Sequence, residues 1–335
     1  FSYGLFRLMN HPWLVRIGTW GLNLALKWHL PITGLIRATL FQQFCGGETM
    51  NESLQTAKKL KAFGVGTILD FAVEGIETES TFDSTCEEFL RNVREAQGKP
   101  EIPFTVLKMT ALVRFDLLEK LSSKKLLARE EKEQWKRAKT RLQSIAKEAY
   151  ERNVRVFVDA EESWIQDATD ELVTDLMRAY NQKRALIFNT VQMYRTDRFQ
   201  FLENSLKDAL EKKYFLGVKV VRGAYLEKER EHAAALGVTS PVHPSKAETD
   251  ADYDRALKFC IENLKSIAVC AGTHNEASTL RLVELMGKTK LPSNDDRIHF
   301  AQLLGMSDHL SYNLAANGYH AAKYVPYGQV NVLIP

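Results

Sequence analysis

The sequence predicts an α/β fold, a (β/α)8 TIM-type barrel with an N-terminal helical arm. Three observations carry this reading. Eight short β-branched runs recur along the chain, amphipathic stretches of helical spacing separate them, and the eight units occupy roughly 260 residues, the size of such a barrel.

The runs are "TILDFAV" (67–73), "TVLKMTAL" (105–112), "VRVFVDA" (154–160), "ALIFNTVQ" (185–192), "GVKVVRGAY" (217–225), "SIAVCAGTH" (266–274), "RIHFAQLL" (297–304) and "AAKYVPYG" (321–328). Each of the first seven leads into a helical segment; "EQWKRAKTRLQSIAKEAYERN" precedes the third run and "NEASTLRLVELMGKT" follows the sixth. An open doubly wound sheet is the competing fold. Against it, the glycine pair "GVG" at 64–66 precedes its strand and lacks the third glycine of G-x-G-x-x-G. The charge-rich stretch 119–155 has helical spacing with acids and bases as neighbours, which predicts a solvated helix face or a helical insert. No repeat, low-complexity tract or Pro/Gly/Ser linker marks a second domain, so residues 1–60 form the arm and 61–335 one barrel.

Composition narrows the function. Apolar residues make up 45% of the 335, enough for a substantial core, and the formal net charge is +3 with acids and bases interspersed, so no field for nucleic acid arises. Cys45, Cys86, Cys260 and Cys270 are far apart with no C-x-x-C pair, which fits reduced thiols. The histidines show no H-E-x-x-H, H-x-x-E-H or H-x-H spacing, and no metal site is expected. In the arm, the apolar segment 11–41 is interrupted by Arg16, Lys27, Pro31 and Arg37 and does not span a bilayer. Trp13, Trp20 and Trp28 beside basic residues suit either a helix at a lipid interface or one packed on the main domain.

In such a barrel the strand C-termini converge on one mouth. The polar residues there are Asp70, Lys108, Asp159 with Glu161, Gln192, Lys219 with Arg222 and Tyr225, Thr273 with His274, Gln302, and Tyr324 with Tyr327. Charges inside apolar runs are costly unless paired or used. Lys108, Asp159 and Lys219 could therefore form a bracing ion network; the alternative is a site for an anionic substrate and an electron-rich cofactor. No G-x-S-x-G elbow supports acyl transfer. Two chemistries stay open: an aldolase-type Schiff base from Lys108 or Lys219, needing a lysine of lowered pKa, and flavin redox chemistry, in which a cation near the ring stabilises its reduced form.

The motifs "VFVDAEES", "LIFNTVQMY", "VKVVRGAYLEKER", "GTHNEAS", "FAQLLGMSD" and "KYVPYGQV", in that order, resemble those of the proline dehydrogenase family over roughly residues 60–335, and Lys219 in the KVVRGAYL strand makes the likeness closer to the eukaryotic type. The resemblance implies FAD as cofactor, L-proline as substrate, Δ1-pyrroline-5-carboxylate as product and a membrane quinone as electron acceptor. It implies a place on the matrix side of the mitochondrial inner membrane in a eukaryote, or in the cytoplasm or peripherally on the inner membrane in a bacterium. Residue by residue, it sets Lys219 and Gln192 against the flavin ring. Arg222, Gly223 and Ala224 fall on its phosphate-bearing side, Thr273 and His274 on the nucleotide portion, and Ala160 and Gln302 also at the cofactor. Lys108 and Asp159 fall beside the substrate, Asp159 with a catalytic role shared by Lys219, and Tyr225 and Tyr324 wall in the proline ring. Tyr324 favours proline over hydroxyproline on steric grounds, and Gly223 is expected to let the backbone approach the cofactor closely. The family's substrate carboxylate is held by arginines of a helix Y-L-x-R-R-x-x-E-N, expected immediately after "NVLIP", where this sequence stops at Pro335; a chain shortened relative to the natural protein is the expectation.

Overall fold

The computed structural model describes residues 41–72, 77–329 and 333, and within them eight parallel strands close into a barrel in the order of the sequence. The strands are β1 (Gly66–Phe71), β2 (Phe104–Lys108), β3 (Arg155–Asp159), β4 (Ile187–Gln192), β5 (Leu216–Val221), β6 (Ile267–Gly272), β7 (Ile298–Leu303) and β8 (Ala321–Tyr327). β8 pairs with β1 from Gly66↔Ala322 to Phe71↔Tyr327, which closes the ring. Every expected strand is present. All are shorter than their apolar runs, and two stop four residues early at the C-terminal end: β2 ends at Lys108, where Met109–Ala111 turn into a 3-10 helix, and β5 ends at Val221, before Gly223 takes a φ of +133°.

Alternation along each strand sorts side chains into two layers. Ile68, Phe104, Phe157, Phe188, Cys270, Ala322 and Tyr324 face one another inside the barrel. Their neighbours Leu69, Val156, Ile187, Val218, Val269 and Phe300 face outward beneath the helices and join the main core. Inside, Phe104 stacks on Phe157 at 4.1 Å between centroids, and Phe188 meets both edge-on at 5.3 and 5.5 Å. Full burial of each ring contributes about 1.5–3 kcal/mol, so this aromatic plug anchors the barrel axis.

The outer layer begins at α1 (Met50–Lys61), capped by Thr49, whose side chain accepts from the Glu52 amide at 3.3 Å. Its Leu60 packs with Val65 and Val325, so the helix lies against β1 and β8 and the residue-60 boundary falls inside it. Residues 1–40 of the arm, with Trp13, Trp20 and Trp28, lie outside the described residues. The layer continues with α2 (Glu79–Ala96), α3 (Phe115–Ser122), α4 (Arg129–Arg152), α5 (Ser163–Tyr180), α6 (Arg198–Lys212), α7 (Leu226–Leu236), α8 (Lys246–Glu262), α9 (Glu276–Lys288) and α10 (Asp308–Ala316). The charged stretch 119–155 supplies the end of α3 and all of α4. One stripe of α4, Ala138, Leu142, Ile145, Ala146 and Ala149, is buried, and the remaining face is largely polar. Arg141 interrupts that stripe, and its guanidinium donates to Asp83 at 2.7 Å, to the Leu112 carbonyl at 3.1 Å and to Glu79. No described helix is long and apolar enough to cross a membrane.

Asp170 on α5 joins three elements from within the outer layer. It accepts from Gln166 at 2.9 Å, from Asn189 on β4 at 2.8 Å and from Arg198 on α6 at 2.6 Å, all buried. Replacing Asp170 by Ala leaves the Arg198 charge without its buried partner, and about 3–5 kcal/mol of stability should be lost in urea denaturation.

Candidate active site

β2 and β3 run in a register that sets Lys108 beside Asp159, and β5 sets Lys219 between Thr190 of β4 and Cys270 of β6. Lys108, Asp159, Thr190 and Lys219 occupy inward positions toward the C-terminal end of the barrel, where a cavity of about 670 Å³ opens, and Cys270 lies below it.

Lys219 is the hub. Its ammonium, 4% exposed with its residue, donates to the Asp159 carboxylate and to the Tyr324 hydroxyl, and Tyr324 in turn donates to Asp159 at 3.3 Å. The same ammonium lies 4.7 Å from the Tyr324 ring centroid and 5.2 Å from that of Phe157. Tyr324 lies parallel to Phe157 at 6.4 Å, so the mouth rests on the aromatic plug. Burial and the nearby Asp159 hold the Tyr324 phenol well above its ordinary value, and it remains a hydrogen-bond donor.

Lys108 and Asp70 form the second part. Asp70, with burial partly offset by Asp159, holds the Lys108 ammonium above its usual range, while burial pushes the Asp70 carboxyl up against the pull of Lys108. Among the described residues the Lys108 ammonium has no hydrogen-bond or ion-pair partner, so its donors face the cavity. Gln192 is 2% exposed and its Oε1 is buried without a partner, an acceptor waiting for a donor that the protein does not supply.

The other end of the cavity is built differently. Arg222 donates to Asp250 at 2.6 Å, to Thr273 at 2.7 Å and to Ser278 at 2.9 Å, and its guanidinium lies 4.3 Å from the Tyr253 ring. Thr273 also accepts from the Asn275 amide, and Asn275 caps α9 by accepting from Ser278. Lys246 in the first turn of α8 lines the same wall. Two helix N-termini, a guanidinium and an ammonium therefore meet at one side, a setting favourable to an anion. His274 bonds Ser307 at 3.0 Å, and partial burial with Lys323 keeps its ring below its ordinary value. Gln302 holds the Thr273 carbonyl at 3.1 Å and accepts from Ser311 at 2.8 Å.

Every residue singled out from the sequence, namely Lys108, Asp159, Ala160, Gln192, Lys219, Arg222, Gly223, Ala224, Tyr225, Thr273, His274, Gln302 and Tyr324, lines this one cavity. Two members of the wider strand-end set do not. Tyr327 is three residues past Tyr324 and so points outward, where its hydroxyl bonds Glu88 at 2.9 Å and Asn92 at 2.7 Å on α2. Glu161 turns beneath the rim, accepting from the Thr110 hydroxyl at 2.5 Å and amide at 3.2 Å. Glycine at 223 has a further reason, one that the sequence did not offer. A Cβ there would come within 2.5 Å of the Tyr194 ring, which does not line the cavity, and the φ of +133° excludes other residues in any case. Thr190, Val221, Gly272, Ala301 and Leu303 line the wall as well. Strand alternation was the signal for Thr190 and Val221, two residues from Gln192 and Lys219, whereas Gly272, Ala301 and Leu303 adjoin the assigned Thr273 and Gln302. Lys246 sits on a helix start and no periodicity marks it.

The fold and its furnished mouth are those of a (β/α)8-barrel enzyme. A family model described as proline dehydrogenase matches residues 53–335. The carbapenem antibiotics biosynthesis protein CarD of Pectobacterium carotovorum is 35% identical over 292 residues, 87% of this chain and 75% of that one. The mitochondrial proline dehydrogenase 1 of Dictyostelium discoideum is 32% identical over 348, covering 91% and 61%; the human counterpart is 38% identical over 209, covering 62% and 35%. Proline utilization A from Bdellovibrio bacteriovorus, inactivated by N-propargylglycine, superposes with a TM-score of 0.76 over 86% of this chain and 31% of that one; at 23% identity this speaks to fold. The chain belongs to the proline dehydrogenase family, a family of oxidoreductases.

The Asp70–Lys108 coupling is measurable. Because the Lys108 value is raised in the folded state, it contributes stability that is complete below the unfolded-state value, about 10.4, and lost as pH rises through the folded value. Replacing Asp70 by Asn should bring the Lys108 titration down, read from pH-dependent NMR of ¹³C-methylated lysines. An unmoved Lys108 resonance would show that another group holds its proton.

Proposed function

We propose that the chain oxidises L-proline to Δ1-pyrroline-5-carboxylate with FAD as cofactor and passes the electrons to a membrane quinone. The observation that carries this reading is the Lys219–Asp159–Tyr324 cluster on its aromatic floor, facing an unpartnered Lys108 and an orphaned Gln192 acceptor in one cavity.

Three features of the mouth fit FAD. Gln192 offers an acceptor to a ring N–H, Ala160, Gly223 and Ala224 leave room for a flat ring system, and Arg222, Lys246 and the N-termini of α8 and α9 suit a pyrophosphate, with Thr273 and His274 toward the nucleotide. When bound, FAD supplies the two-electron acceptor. Oxidation of proline removes a hydride from the ring carbon beside nitrogen and a proton from the nitrogen, leaving a C=N bond. The Asp159 carboxylate is placed to hold the ring nitrogen, and Lys108 is the cation available to the substrate's carboxylate. Lys219 supplies positive charge, fixed in advance by Asp159 and Tyr324, where negative charge develops. Tyr225 and Tyr324 bound the space for the ring.

The Schiff-base alternative fares worse on the same geometry. It needs a lysine held below its ordinary value, whereas Asp70 pushes Lys108 upward and Lys219 is committed to Asp159. Cys270, below the mouth, offers no nucleophile, since burial pushes its thiol up to about 12. The named relatives from eukaryotes are mitochondrial proteins, and the proposal places a eukaryotic owner of this chain there, on the matrix side of the inner membrane.

The test is an anaerobic visible spectrum of the purified chain before and after L-proline. A flavin band that bleaches supports the reading; a colourless protein that borohydride traps with a carbonyl substrate would replace it. Lys219→Met should slow bleaching by about a hundredfold or more with the fold intact. Tyr324→Ser, which opens the space beside the ring, should raise turnover of hydroxyproline relative to proline.

A further inference from the structure

At the opposite end of the barrel lies a second cavity, of about 780 Å³, between the N-terminal ends of the strands. His299 and Arg155 line it and stand between it and the aromatic plug. His299 on β7 meets Phe104 edge-on at 4.8 Å and stacks on His320 at 4.9 Å. His320 is engaged, with Nε2 at 2.9 Å from the Asn294 carbonyl. His299 is not: it is 4% exposed, it lines the cavity, and among the described residues neither ring nitrogen has a hydrogen-bond partner. A buried imidazole is left with one donor and one acceptor to satisfy.

Two guanidiniums flank it. Arg155, its side chain 10% exposed, lies with its Cζ 5.5 Å from the Phe104 ring and bonds Asp296. Arg184 reaches the same Asp296 only at 3.9 Å, and its Nε is buried with no partner. One carboxylate, itself largely exposed, thus serves two arginines, and planar donors remain unspent beside a donor-bearing ring. Elsewhere on the wall Lys61 is matched by Glu101 at 2.8 Å and Arg152 by Glu148 at 2.7 Å, so the guanidinium left without a close partner is that of Arg184.

We propose that this basal cavity binds a small molecule through an oxyanion, a phosphate or a carboxylate, held by Arg184 and His299 with Arg155 alongside. A guanidinium fork matches either group in two parallel hydrogen bonds, and the volume admits a ligand larger than a bare ion. The plug of Phe104, Phe157 and Phe188 separates this cavity from the mouth, so its occupancy is independent of the residues assigned above.

The test is calorimetric titration of the full chain at low ionic strength with inorganic phosphate and, separately, with succinate, using chloride as the control. Saturable binding of one or both is expected, with phosphate alone pointing to a phosphate-bearing ligand and succinate alone to a carboxylate. Arg184→Gln should weaken it about tenfold or more, and Asp296→Asn, which frees both guanidiniums, should tighten it. Arg184 lies on a connection between α5 and β4, and the two substitutions move affinity in opposite directions, so a general loss of structure would not reproduce the pattern. Lys219→Met at the mouth should leave it unchanged. Failure of both anions to bind, an unaltered affinity in Arg184→Gln, or equal loss in Lys219→Met would overturn the proposal.

Discussion

Two ammonium groups and two carboxylates, Lys108 and Lys219 with Asp70 and Asp159, share the mouth of this barrel, and the site depends on their balance. Each sits on a strand that is otherwise largely apolar, and none would be tolerated there alone. The pairing is unequal. Lys219 gives its donors to Asp159 and Tyr324 and is held in place, whereas Lys108 is held charged by Asp70 yet keeps its donors toward the cavity. One cation is therefore fixed in position and the other remains available to a ligand, a division made by register and not by residue type.

Beyond the mouth, ties to backbone and helix caps keep the geometry. Arg222 spans from the end of β5 to Asp250 on α8, Thr273 after β6 and Ser278 on α9. A single side chain thereby sets three connections against one another, which is why the anion-favouring wall and the charged cluster stay in a constant relation.

The sequence made the barrel legible because a parallel strand buried on both faces must be apolar along its length, and eight such runs leave few alternatives. The mouth was legible for the complementary reason: Lys108, Asp159 and Lys219 violate that rule at strand ends. What the sequence concealed followed from direction. Tyr324 and Tyr327 look equivalent in "KYVPYG" until the strand's alternation is placed in a closed sheet, and then one faces the cavity and the other faces α2. Glycine at 223 is visible, but its constraint comes from Tyr194, twenty-nine residues away by numbering and invisible to local pattern. Arg141 reads as one charge among many in a charged helix until its neighbours at Asp83 and Leu112 are known. His299 and Arg184, at the barrel's other end, carry no motif.

The aromatic plug has a further consequence. Phe104, Phe157 and Phe188 are each at most 1% exposed and fill the axis with interlocked rings. Among the described residues the mouth thus ends on a floor of rings, and the barrel axis offers no way through to the far end. A small molecule that enters the mouth therefore cannot pass along the axis to the other end, and arrival and departure both take place on the C-terminal side of the sheet.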